Sequence, residues 1–191
     1  MRRVVATEYV TLDGVMEDPG GLSRFAQANW HFPFMNEETK RFKHDELFAS
    51  DALLLGRATY EEFAAAWPSI TDETGFADRM NSLPKYVASR TLHTLAWQNS
   101  TLLTGDVAVA VAALKQQPGQ DILLSGSADL LHALMGRDLV DEYRLLVHPV
   151  VAGSGKRLFS EGSATMELRL VEVAPFSSGV VALTYRPQRN V

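Results

Sequence analysis

One device constrains this chain more than any other: an uninterrupted apolar run, a small-residue turn, and a helical pattern that begins at once. It is plainest in Ala52-Leu53-Leu54-Leu55-Gly56-Arg57-Ala58-Thr59-Tyr60-Glu61-Glu62-Phe63. Consecutive apolar residues without alternation predict a strand covered on both faces, as in a sheet with helices above and below. Gly56 allows the backbone to turn without a side chain, and the Thr59-x-x-Glu62 spacing predicts a capping box. A helix start behind a glycine offers free N–H groups, and Arg57 adds positive charge, so the junction suits a phosphate. An ordinary strand-to-helix turn with a surface Arg has the same signature.

The device recurs. Asp121-Ile122-Leu123-Leu124-Ser125-Gly126-Ser127 is again an apolar strand and a small-residue turn, followed by a helical pattern over 128–135. Between the two, the short strand 85–88 runs into Ser89-Arg90-Thr91-Leu92, hydroxyls and a guanidinium of the kind that hold a phosphate monoester. In an open α/β sheet all three turns lie at the carboxyl ends of strands, where ligands gather. Together they favour one anion site over three unrelated turns.

The remaining chain fits the same architecture. Strands are predicted over 3–12, 101–104 and 139–147, with an antiparallel hairpin of 166–174 and 179–186. Helices are predicted over 36–50, capped by Asn36, and over 107–116, capped at Gly105-Asp106. By helical phase Glu38, Asp45 and Glu46 fall toward the inward edge of the first of these, where each either acts as an acid or reaches solvent or a basic neighbour. Residues 69–82 are polar and unpatterned. The tally is about eight strands and four helices in one domain over 1–191, a mixed α/β sheet. The irregular stretch 15–34 carries Phe25, Trp30, Phe32 and Phe34, which serve equally as a pocket lining or as a satellite core.

Charge and composition narrow the functions. Lys+Arg 18 against Asp+Glu 23 disfavours general nucleic-acid binding while leaving room for a local basic pocket. Without Cys there is no disulfide, thiolate zinc site or cysteine nucleophile, and the five histidines show no paired ligand spacing, so no metal site is expected. Gly-x-Ser-x-Gly is absent, and Gly153-Ser154-Gly155-Lys156 lacks the spacing of a triphosphate loop. The opening residues are too short and polar for a signal or membrane helix, and cytoplasm is the expected compartment.

The ordered set Tyr9-Val10-Thr11-Leu12-Asp13-Gly14, Leu55-Gly56-Arg57-Ala58-Thr59-Tyr60, Lys85-Tyr86-Val87-Ala88-Ser89-Arg90-Thr91-Leu92, Leu124-Ser125-Gly126-Ser127 and Leu139-Val140-Asp141-Glu142-Tyr143 resembles the dihydrofolate reductase-like superfamily. Within it the chain is similar to small stand-alone proteins related to the reductase domain of the bifunctional riboflavin-synthesis deaminase-reductase. The resemblance runs nearly end to end. It implies a three-layer α/β/α fold with a mixed, mostly parallel eight-stranded sheet and a C-terminal antiparallel hairpin. It implies NADPH as cofactor, with Thr11, Gly56, Arg57, Thr59, Gly126 and Ser127 at the cofactor and Ser89 with Arg90 on the adenosine 2′-phosphate. Ser125-Gly126-Ser127 departs from the family's Glu before a Gly-Gly pair, which concerns the ribityl-type pyrimidine substrate. For the proton, Glu38 is the nearest match to the acid of the first helix, and Asp13 is its rival or else forms an Asx turn with Gly14. The activity implied is hydride transfer from NADPH to a C=N or C=O bond of a pterin- or aminopyrimidine-type heterocycle. The other readings are a non-catalytic NADPH-binding protein and a reductase of an unrelated small carbonyl compound. Related reductases are often homodimers, so a homodimer is expected, with a small-molecule substrate and neither nucleic acid nor membrane as partner.

Overall fold

The computed structural model describes residues 1–21, 26–159, 161 and 165–188. Its strands are β1 (Val4–Thr11), β2 (Ser50–Gly56), β3 (Lys85–Ala88), β4 (Ser100–Leu103), β5 (Asp121–Leu124), β6 (Glu142–His148), β7 (Leu168–Pro175) and β8 (Val181–Pro187). They form an 8-stranded sheet in the order β4-β3-β2-β5-β1-β6-β8-β7. Pairing is parallel from β4 through β6, and the C-terminal strands β7 and β8 close the sheet in antiparallel fashion.

Helices α1 (Glu37–Phe48), α2 (Arg57–Ala66), α3 (Phe76–Ser82), α4 (Val107–Gln116) and α5 (Ala128–Met135) cover both faces. The alternation of β1, β2 and β5 divides their side chains into two cores. Val4, Ala6, Leu54, Ile122 and Leu124 meet Val111 and Leu114 of α4 and Leu131 and Leu134 of α5. On the other face Val5, Leu53, Leu55 and Leu123 meet Leu47 of α1, Tyr60 of α2 and Met80 of α3. Burial on both faces is why these strands lack the polar alternation of a half-exposed sheet. No helix among the described residues is long and apolar enough to cross a membrane.

Two expectations are corrected. Among the described residues the α-helix count is five, because the polar stretch contains α3, which buries only Ala77 and Met80 and so leaves almost no apolar period to read. Asp72 prepares its start by accepting the N–H groups of Thr74 (2.8 Å), Phe76 (3.1 Å) and Ala77 (2.6 Å). The capping box is also not formed: the N-cap of α2 is Gly56, without a side-chain cap, and Thr59 already lies inside the helix.

Candidate functional site

Neighbouring parallel strands β3, β2 and β5 bring Ser89-Arg90, Gly56-Arg57 and Gly126-Ser127 to one edge of the sheet. The Gly56 N–H donates to the Gly126 carbonyl at 3.3 Å. From these two turns α2 and α5 depart to opposite faces, and neither helix start carries a side-chain cap. Two sets of first-turn N–H groups are therefore left for another acceptor, with both positive dipole ends beside them. The approach depends on missing side chains. A Cβ on Gly56 would lie 2.9 Å from the Ser127 nitrogen and collide with its hydroxyl. One on Gly126, which has φ +55°, would lie 2.6 Å from Thr59 Oγ1. The Gly126–Ser127 peptide is cis. Ser89 Oγ accepts from the N–H groups of Thr91 (3.1 Å) and Leu92 (3.0 Å), forming a turn that leaves Arg90 exposed and without hydrogen bond or ion pair among the described residues. Arg57 pairs along its own helix with Glu61 at 2.8 Å.

Thr11, Asp13 and Glu38 are placed differently from the acids and hydroxyls of an open site. The Thr11 hydroxyl is buried, donating to Asp13 Oδ1 at 2.6 Å and accepting from the Val15 N–H at 2.9 Å. Asp13 also accepts from the N–H groups of Ala152 (3.1 Å) and Gly153 (2.8 Å). The Thr11 hydroxyl first and these N–H groups next hold its carboxyl at about 2. Its bonds thus tie the end of β1 to the segment after β6. Glu38 is exposed and accepts from the Ser177 hydroxyl, the Ser177 N–H (2.7 Å) and Asn36 Nδ2 (3.0 Å), which together lower its pKa. It fastens the start of α1 to the β7–β8 turn. Neither carboxylate holds a proton at neutral pH.

Beneath this edge lies a polar cluster that sequence reasoning missed apart from Glu46. The Thr7 hydroxyl donates to Glu46 Oε1 at 2.7 Å and accepts from Lys43 Nζ at 2.7 Å, while Lys43 and Glu46 form an ion pair. Lys43 Nζ stands 5.2 Å from the Tyr9 ring centroid, and its side chain keeps 19% of its exposure. Burial opposes the Lys43 charge, but Glu46 and Tyr9 outweigh it and raise the pKa. Glu46 Oε2 is buried with no hydrogen-bond partner among the described residues. On β1, Glu8 is 7% exposed, accepts the Gly126 N–H at 2.8 Å, and is raised by burial to about 8. The available signal was an acid at Glu8 inside an apolar strand, and Thr39, Lys43, Glu46 and Leu47 on one helical face.

The irregular segment contributes an aromatic wall. Tyr9 stacks on His31 at 4.9 Å, while Trp30 and Phe34 meet the His148 edge at 5.1 and 6.0 Å. Burial lowers the pKa of both histidines. Trp30 is core-like, with Nε1 donating to the Glu17 carbonyl at 3.0 Å, whereas Phe32 is 53% exposed; Phe25 lies outside the described residues. Among the described residues no three His, Asp or Glu side chains are grouped to hold a metal ion.

Comparison with known proteins bears on the family and the fold. The family profile of the RibD C-terminal domain matches residues 2–182. YyaP of Bacillus subtilis (strain 168) is 34% identical over 187 residues, covering 96% of this chain and 94% of its own length. A Shewanella sp. PV-4 structure bearing the name of a riboflavin biosynthesis protein superposes with a TM-score of 0.76 at 19% identity, over 98% of this chain and 99% of its own. Dihydrofolate reductase from Enterococcus faecalis, solved with NADP(H), superposes with a TM-score of 0.63 at 15% identity, over 98% and 97% of the two chains.

Proposed function

The chain belongs to the RibD C-terminal domain family, and from that footing we propose that it is an NADPH-dependent reductase of a small heterocycle. The observation that carries the reading is the Gly56–Gly126 contact, which joins two helix starts without side-chain caps and packs the Ser127 and Thr59 hydroxyls against the two glycines. A pyrophosphate fits such a cradle. Gly56, Arg57 and Thr59 line one side and Gly126 with Ser127 the other. Ser89 and the unpaired Arg90 stand beyond β2, where they would receive a 2′-phosphate. Thr11 shapes the end of β1 through its turn.

NADPH supplies a hydride when bound. The chain's own residues supply binding, orientation and exclusion of water. Tyr9 and Phe34, backed by the buried Trp30, offer a wall for a flat ring. Lys43 offers an ammonium to a ring carbonyl, so the cluster suits an aminopyrimidine or pterin. The hydride would add to the carbon of a C=N or C=O bond and a proton to its nitrogen or oxygen. With Asp13 and Glu38 held ionised, that proton would come from water. The same reading includes a homodimer, for which the exposed Leu170, Val171 and Val173 of β7 are the surface to cover.

Titration of the protein with NADPH, followed by nicotinamide fluorescence, is expected to saturate. Adding oxidised pterins or aminopyrimidine carbonyl compounds to the complex is expected to consume the reduced cofactor. Saturable binding without consumption by either class would contradict the hydride-transfer step, and absence of binding would remove the cofactor assignment.

A further inference from the structure

We propose that Glu8 is a positioning residue of the cofactor cleft: its carboxyl holds the Gly126–Ser127 turn and is neutral when a dinucleotide phosphate docks there. This rests on the NADPH reading above and adds a proton to it. β1 pairs with β5 only through Val4, Ala6 and the residue between them, whereas its pairing with β6 continues to Thr11. Beyond Ala6 the β5 side of β1 is therefore open, and Glu8 occupies that gap, almost fully buried. Its Oε1 accepts the Gly126 N–H at 2.8 Å, while the Gly126 carbonyl accepts from Gly56. Gly126 is tied on both sides, and the direction of the first α5 N–H groups follows from those ties.

A carboxylate directly behind an anion-binding turn works against the anion, whereas a neutral carboxyl keeps the hydrogen bond without the repulsion. The charges that act on Glu8 are Lys43 and Glu46, both from α1 and of opposite sign. Leu145, its register partner on β6, brings none. On α5, Asp129 is 85% exposed and turned toward Lys156; on α2, Arg57 is paired with Glu61. Burial is the dominant influence, and it keeps Glu8 protonated until about pH 8. Binding an anion favours the protonated form, so affinity is full below that value and falls above it. Where only the protonated form binds, the fall approaches about tenfold per pH unit, because the competent fraction falls by that factor.

The test is NADPH titration from neutral pH to about two units above the Glu8 pKa, on the wild type, Glu8→Gln and Glu8→Leu. Wild-type affinity is expected to fall above pH 8. Glu8→Gln, neutral throughout and still able to accept the Gly126 N–H, is expected to bind without that fall, and Glu8→Leu to bind weakly at every pH. A Glu8→Gln profile that falls like the wild type, or a Glu8→Leu variant that binds as tightly as the wild type, overturns the proposal while NADPH binding stands. Failure of the wild type to bind at any pH overturns both readings. The unfolding midpoint without ligand tests the proton separately: wild-type stability should decline as pH rises from 4.5 to about 8, and Glu8→Gln should remove that decline. A midpoint whose pH dependence Glu8→Gln leaves unchanged would contradict it.

Discussion

At the scale of single residues, the glycines were legible and the acids were not. Gly56 and Gly126 stand out because each ends an apolar run and precedes a helix, and the close approach that each permits is local to its turn. Asp13 and Glu38 share a residue type with a proton donor, but their partners, Ala152, Gly153 and Ser177, lie more than a hundred residues away along the chain. Glu8 was hidden for a related reason: its burial depends on where β1 leaves β5. Gly56→Ala forces a methyl group onto the Ser127 backbone, with a cost of about 1–3 kcal/mol. Denaturant melts should register that loss and NADPH titration a parallel weakening; a variant unchanged in both would remove the close-approach argument. Asp13 gives a pH prediction of definite sign. Its contribution to stability is fully present above 3.8, the ordinary carboxylate value, and is lost as pH falls toward about 2. Asp13→Asn should therefore show a shallower acid loss of stability than the wild type, as followed by circular dichroism.

At the scale of elements, strands and helices with an apolar period were read within a few residues, and the pieces held by polar contacts were not. The strand 85–88 and the helix 107–116 coincide with β3 and α4 because each buries a regular side. α3 escaped because Asp72 and two buried residues hold it, and the inward face of α1 was read only at Glu46, because Thr39 and Lys43 share that face with Leu47. Across β1, β6 and β8 a single carboxylate does comparable work. Glu142, 3% exposed, accepts from Arg3 (3.0 Å), Arg144 (2.7 Å) and Arg186 (2.8 Å). Burial opposes its charge, but Arg186 and Arg144 outweigh it and lower the pKa. Glu142→Gln leaves three guanidinium groups without their shared partner. Because Arg3 and Arg186 keep about 40% exposure, the loss should be about 2–3 kcal/mol, below that of a fully buried pair. A chemical melt within experimental error of the wild type would show that the cluster is only decorative.

At the scale of the whole molecule, order along the chain and order in the sheet differ, and the site exists because of that difference. β5 inserts between β2 and β1, so a turn at Gly126 meets one at Gly56 across seventy residues of sequence, while β3 brings Arg90 to the far side of β2. Neither adjacency follows from periodicity; the ordered motifs carried it through resemblance. At the opposite edge β7 exposes Leu170, Val171 and Val173, and Val173→Lys should shift a dimer toward monomer in light scattering while leaving NADPH affinity intact. A wild type that is monomeric throughout would contradict the dimer. The central claim concerns the carboxyl edge and is tested most directly by measuring NADPH and NADH affinity for the wild type and Arg90→Ala. A charge-assisted contact to a 2′-phosphate is worth about 1.5–3 kcal/mol, so Arg90→Ala should weaken NADPH by about ten- to a hundredfold and NADH hardly at all. Equal loss for both cofactors, or none for either, would contradict the assignment of that edge to a phosphorylated dinucleotide.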